Sequence, residues 1–112
     1  MKQLKFAPNL KNIILTGEKY ATWRLGNDYD INEGDIVSFV GGGQEFAKAE
    51  IISLKEISFA DMTAADKSGH ETYKSDEEKY ATFKSYYDQE VGPDTLVKIF
   101  KFKLIQTPMA TA

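Results

Sequence analysis

An i, i+3, i+4 stripe of Leu10, Ile13 and Ile14 stops at Gly17, and from Tyr20 to Leu25 the pattern changes to strict alternation. A chain that leaves a helix at a glycine and enters a strand a few residues later has its side-chain directions fixed at the junction. Pro8 suits the first turn of that helix, where no donor is needed, and the helix should run to about Thr16 with Gly17 as its left-handed cap. In the strand, Ala21, Trp23 and Leu25 share one face, while Tyr20, Thr22 and Arg24 share the other, polar one. Lysine, hydroxyl, two aromatics and arginine therefore fall within the eight residues Gly17 to Arg24. Junctions of this kind are good places to build a site.

The rest of the chain reads as strands with one strong helix. Leu4 to Ala7 is short enough for an edge strand. Gly26 to Gly34 is a loop rich in Gly, Asn and Asp, with Asn32 to Asp35 a tight turn into the strand Ile36 to Val40. Gly41 to Gly43 should turn a hairpin; no Lys-Ser/Thr pair follows and no helix opens there, so a phosphate-cradling loop is a poor reading. Glu45 to Ile57 is long for one strand and its apolar phase slips, which predicts a bulge or sharp bend near Ile51. Ala60 to Lys74 is small and polar, a short helical turn plus loop. Ser75 and Glu78 have capping-box spacing and open a helix whose buried stripe is Tyr80, Phe83 and Tyr87, with Gly92-Pro93-Asp94 at its end. Thr95 to Ile105 closes the pattern as a strand with Phe100, Phe102 and Leu104 on one face and Lys101 and Lys103 toward water.

Composition narrows the classes. At 112 residues the chain suits one domain over 1–106, with a fraying tail over 107–112. It has no cysteine, which removes disulfides and thiolate metal sites. The start Met-Lys-Gln-Leu-Lys-Phe lacks an apolar signal core, so a cytoplasmic protein with no membrane association is the expectation. With 14 basic against 17 acidic residues the net charge is −3, which argues against coating nucleic acid by phosphate neutralisation alone while leaving room for a local basic pocket. No obligate protein partner is evident.

The chemistry available at the junction is that of a Thr-Lys pair, in which a neutral amine takes the hydroxyl proton as the oxygen attacks a carbonyl. Lys19 must first lose its own proton from a reference pKa of about 10.4, which asks for burial or a neighbouring cation such as Arg24; a nearby carboxylate would oppose it. Glu71 could shuttle a proton to a leaving amine, a role that asks for a carboxyl raised by burial. Strict alternation sets Lys19 and Thr22 on opposite faces, although a lysine at the turn has the length to reach over. Read on residues alone, the trio is more simply two solvated charges and a β-forming threonine. His70 stands alone, without partner spacing for a metal, and reads as a loop residue; no metal or other cofactor is called for.

The spacing G-x-K-x-x-T-x-R, the turn Glu33-Gly34-Asp35-Ile36-Val37, and Ser75-Asp76-Glu77-Glu78 opening the late helix before a closing strand at Val97 to Phe102 resemble ASCH domains, small relatives of the PUA RNA-binding domain, over nearly the whole length. The resemblance implies an α+β fold, a PUA-like mixed β-barrel with two or three helices and a cleft beside the motif. It implies a nucleoside or RNA as partner. Some bacterial members of similar length are amidohydrolases that deacetylate N4-acetylcytidine; mapped onto this sequence, their catalytic residues are Lys19, Thr22 and Glu71, with Glu77 and Glu78 as substitutes for the last. Tyr20 and Arg24, sharing the Thr22 face, are then the substrate contacts. An RNA-binding regulator, or a metal-independent ribonuclease using Lys19 and Arg24, is the alternative for the same cleft. The longer loop after Gly41 and the tyrosine-rich late helix depart from the family pattern.

Overall fold

The computed structural model describes residues 2–26 and 30–106. Five strands form one sheet, β1 Gln3–Phe6, β2 Ala21–Arg24, β3 Ile36–Gly41, β4 Gln44–Ser58 and β5 Leu96–Gln106, in the order β1-β3-β4-β5-β2. Only β1 with β3 is parallel; the other pairs are antiparallel. Three α-helices accompany them: α1 Lys11–Leu15, entered through a 3-10 turn at Pro8–Leu10, α2 Ala64–Lys67 and α3 Asp76–Tyr87. The architecture is α+β, a sheet curled into a half-barrel. The tail over 107–112 and residues 27–29 of the predicted loop lie outside the described residues.

β4 does most of the curling. Its register against β5 shifts between Lys48 and Ala49 and again between Ile51 and Ser53, the place where the apolar phase slips in the sequence. A bulge leaves one residue unpaired and bends the strand, which is how a 15-residue strand turns a corner. At the β3–β4 hairpin, Gly42 and Gly43 both have positive φ (63° and 81°), the backbone a tight two-residue turn needs.

Two cores lie on opposite faces of β5. Phe100 and Phe102 point into the curl, joined by Leu4, Phe6, Val37, Phe39 and Ile51 from the other strands and Ile14 from α1. Val97 and Ile99 point the other way, packing with Trp23, Leu25, Phe59 and Phe83 beneath α3. Ile14, Trp23, Phe39 and Phe83, the side chains most expected to be inside, are all buried.

Helix α3 starts as read: Ser75 Oγ accepts from the Glu78 N–H at 3.1 Å. The Glu78 carboxylate, however, accepts from the N–H of Lys74 (3.3 Å) rather than from that of Ser75, so the box is displaced by one residue. The helix ends at Asp88, whose left-handed φ of 51° caps it before Gly92 is reached. Lys101 departs from its expected place in water, being half-buried with its ammonium donating to the Ala65 carbonyl. Among the described residues no helix is long and apolar enough to cross a membrane.

Candidate active site

The curl brings the two edge strands together. Arg24 Nη2 donates to the Lys5 carbonyl of β1 at 2.8 Å, and the guanidinium sits 4.9 Å from the centre of the Phe6 ring. Because β2 is an edge strand, residues from both of its faces reach the space beside it. A cavity of about 320 Å³ lies there, lined by Lys19, Thr22, Trp23, Arg24, His70 and Glu71, with tyrosines of α3 at its side. That volume is of the size that takes a small organic ligand.

Lys19 is buried at 3% exposure, although the residues on either side of it are exposed. Gly17 has the predicted left-handed φ (87°), and the Lys19 N–H donates to the Ile13 carbonyl at 2.9 Å, so the backbone is tied down before the strand starts. Its ammonium donates to the Ala21 carbonyl at 2.8 Å and to the Glu71 carboxylate. Burial pulls the Lys19 pKa below its ordinary value; the bond and charge of Glu71 oppose this, and the Arg24 cation adds to the lowering.

Thr22, also buried, lines the same cavity as Lys19 despite the alternation that separates them on paper. Its Oγ1 accepts from Arg24 Nε at 3.0 Å, which leaves the hydroxyl proton to be given elsewhere. Lys19 reaches the cavity as a turn residue whose stem passes over the strand end.

Glu71 is the member of the glutamate trio that lines this cavity. Glu78 is engaged at the cap of α3 and Glu77 is exposed. Its carboxyl behaves opposite to what a resting proton donor asks for. Burial pushes it up, but His70 and the Lys19 ammonium outweigh this and hold it below the ordinary carboxylate value, so Glu71 rests ionised.

Tyr20 is placed apart from the other predicted site residues. It is absent from the residues lining this cavity; its hydroxyl meets Ser68 and its ring packs against Gly69. The reason is backbone: the N–H groups of Tyr20 and Ala21 both donate to the Gly69 carbonyl (2.9 and 3.1 Å), so strand geometry begins only after Tyr20. The same two bonds clamp the loop that carries His70 and Glu71 onto the start of β2.

His70 is the residue that sequence reasoning passed over. It lies in a loop as read, but its side chain is only 4% exposed and stacks on Trp23 with ring centres 3.7 Å apart and planes 12° from parallel. Burial, with the Lys19 cation second, lowers its pKa to about 4, so the imidazole is neutral at pH 7. Its adjacency to Glu71 was the one available signal. Among the described residues no group of three or more carboxylate or imidazole side chains could hold a metal ion.

A five-stranded sheet curled into a half-barrel and accompanied by three helices is the fold of solved ASCH domains, and this chain has that fold. Among solved structures, protein EF3133 from Enterococcus faecalis, of family DUF984, matches with a TM-score of 0.75 at 17% identity over 93% of this chain and 74% of its own. An ASCH domain from Lactobacillus crispatus matches at 0.67 and 19% identity, over 86% of this chain and 70% of that one. A ZmASCH variant from Zymomonas mobilis matches at 0.64 and 12% identity, over 94% and 68%. No family model and no curated protein matches the sequence. At these identities the likeness establishes the fold.

Proposed function

We propose that the protein is an amidohydrolase that removes the acetyl group from N4-acetylcytidine or a closely related acylated nucleoside, with Thr22 as nucleophile and the Lys19–Glu71 pair moving the protons. The observation that carries this reading is the buried Lys19 ammonium, held between the Ala21 carbonyl and the Glu71 carboxylate in the cavity that Thr22 lines.

The protonation states set the order of steps. At rest the pair is an ammonium and a carboxylate in direct contact, and proton transfer along that contact yields a neutral amine beside a carboxylic acid. Burial favours this exchange, since it replaces two buried charges with none. The neutral amine takes the Thr22 proton as Oγ1 attacks the acetyl carbonyl. Arg24, already bonded to that hydroxyl, places positive charge where the oxyanion develops. Collapse expels the cytosine amine, which leaves with the proton of Glu71, and the pair returns to its ionised state with the acetyl group on Thr22. Water then attacks the ester, giving one proton to Glu71 while Lys19 returns one to the Thr22 oxygen. Glu71 passes its proton back to Lys19, and the acetic acid formed loses its own to solvent. Acetate and the resting enzyme result.

The size of the cavity and the net charge of −3 suit a single nucleoside better than a polymer. The test is incubation of the protein with N4-acetylcytidine while cytidine and acetate are followed. Release of both in equal amounts is the expected result. No turnover, together with RNA affinity that falls steeply with salt, would replace this reading with RNA binding through the same cleft.

A further inference from the structure

Two polar groups in the cavity wall take no part in that chemistry. His70 Nδ1 lies 2.9 Å from the Glu71 carbonyl, which only accepts, so the ring proton sits on Nδ1 and Nε2 carries the lone pair. Nε2 has no hydrogen bond among the described residues, although the side chain is almost wholly buried. In the indole stacked on this ring, the Trp23 N–H is buried and has no partner among the described residues. His70 lines the cavity, so its open acceptor is available to a donor on a ligand seated there. The ring's orientation is held, since it lies flat on Trp23 and its Nδ1 is anchored to the loop backbone.

We propose that the His70–Trp23 stack is the specificity element of the cavity, with His70 Nε2 accepting a hydrogen bond from an N–H of the ligand, so that the site selects a nitrogen that still bears a hydrogen over its fully alkylated counterpart. This adds a substrate class to the reading above: acylated primary amines, whose amide keeps one N–H. The binding claim stands apart from the reaction, because a free amine presents the same donor.

Trp23 is the single tryptophan of the chain, so its fluorescence reports on the stack directly. Cytidine and N4,N4-dimethylcytidine are titrated against the wild type, His70→Phe and His70→Gln. The phenyl ring keeps the stack and loses the acceptor, whereas the glutamine amide oxygen keeps an acceptor without the ring. The wild type should bind cytidine about tenfold or more tightly than the dimethyl compound, a ratio equivalent to ~1.4 kcal/mol. In His70→Phe the ratio should collapse to about twofold, through loss of cytidine affinity, and His70→Gln should restore part of it. A ratio that survives in a folded His70→Phe, or a wild type that binds neither nucleoside, overturns the proposal. Selective binding without acetate release from N4-acetylcytidine would instead uphold the recognition role and remove only the amidohydrolase reading.

Discussion

The ammonium of Lys19 rests against the carboxylate of Glu71, a residue 52 positions further along the chain, in the wall of the cavity that Thr22 and Arg24 also line. Burial lowers the lysine pKa while Glu71 holds it up, so the two residues set each other's proton affinity. Glu71→Gln removes the opposing charge, and Lys19 should then titrate lower than in the wild type. The carbon-13 shift of its ε-carbon, followed against pH, measures this. A Lys19 titration unmoved by the substitution would show that the pair is not coupled.

Thr22→Ala should abolish acyl transfer while leaving nucleoside affinity within a few-fold, because the hydroxyl matters only in the transition state. Lys19→Ala should cost on the order of 10²–10⁴-fold in turnover, the worth of a positioned general base. Thr22→Ser, which keeps an oxygen at the same place, should retain part of the activity. Steady-state rates on N4-acetylcytidine check all three, and turnover unchanged in Thr22→Ala would show that water attacks directly.

Arg24 joins the two edge strands through the Lys5 carbonyl as well as bonding Thr22. Arg24→Met should therefore lower stability by about 1.5–3 kcal/mol, the range for hydrogen bonds involving a charged group, on top of any effect on catalysis. Arg24→Lys should fall between, since an ammonium cannot present the planar fork to both partners. Urea midpoints at pH 7 read the difference.

Gly69 has a φ of 85°, and a Cβ added there would lie 2.5 Å from the Tyr20 ring. Gly69→Ala should destabilise by about 2–4 kcal/mol, combining the backbone penalty with overpacking. Removing the ring in a Gly69→Ala, Tyr20→Ala double variant should recover the overpacking part alone. Because Gly69 clamps the His70–Glu71 loop to β2, the single variant should also lose turnover, and chemical denaturation beside the activity assay separates the two effects.

His70 has a folded pKa near 4 against 6.5 in an unfolded chain. The unfolded state thus binds the extra proton first. The contribution of this group is fully present above pH 6.5 and is lost as pH falls toward 4, amounting to ~3 kcal/mol over that window. Carboxylates titrate at the lower end as well, so the test is the difference between wild type and His70→Phe. The wild type should lose more stability than the variant between pH 6.5 and 4, and parallel curves would contradict the buried neutral imidazole.

Sequence by itself determined what short-range periodicity encodes. The Leu10, Ile13, Ile14 stripe, the Gly17 cap, the phase slip near Ile51 and the Ser75 cap each depend on residues within a few positions of one another, and each has its counterpart in the fold. The presence of Lys19 and Thr22 at one junction was legible for the same reason. Tertiary structure decided which groups face that junction. The segment carrying His70 and Glu71 has no periodicity, and its position rests on the Gly69 carbonyl meeting the N–H groups of Tyr20 and Ala21, a contact that exists only once the sheet has formed. That contact draws Tyr20 out of the cavity, sets Glu71 against Lys19 and lays His70 on Trp23. Burial then reverses what the residue types suggest in water, keeping the histidine neutral and weakening the lysine's hold on its proton, because desolvation depends on neighbours that come from both ends of the chain.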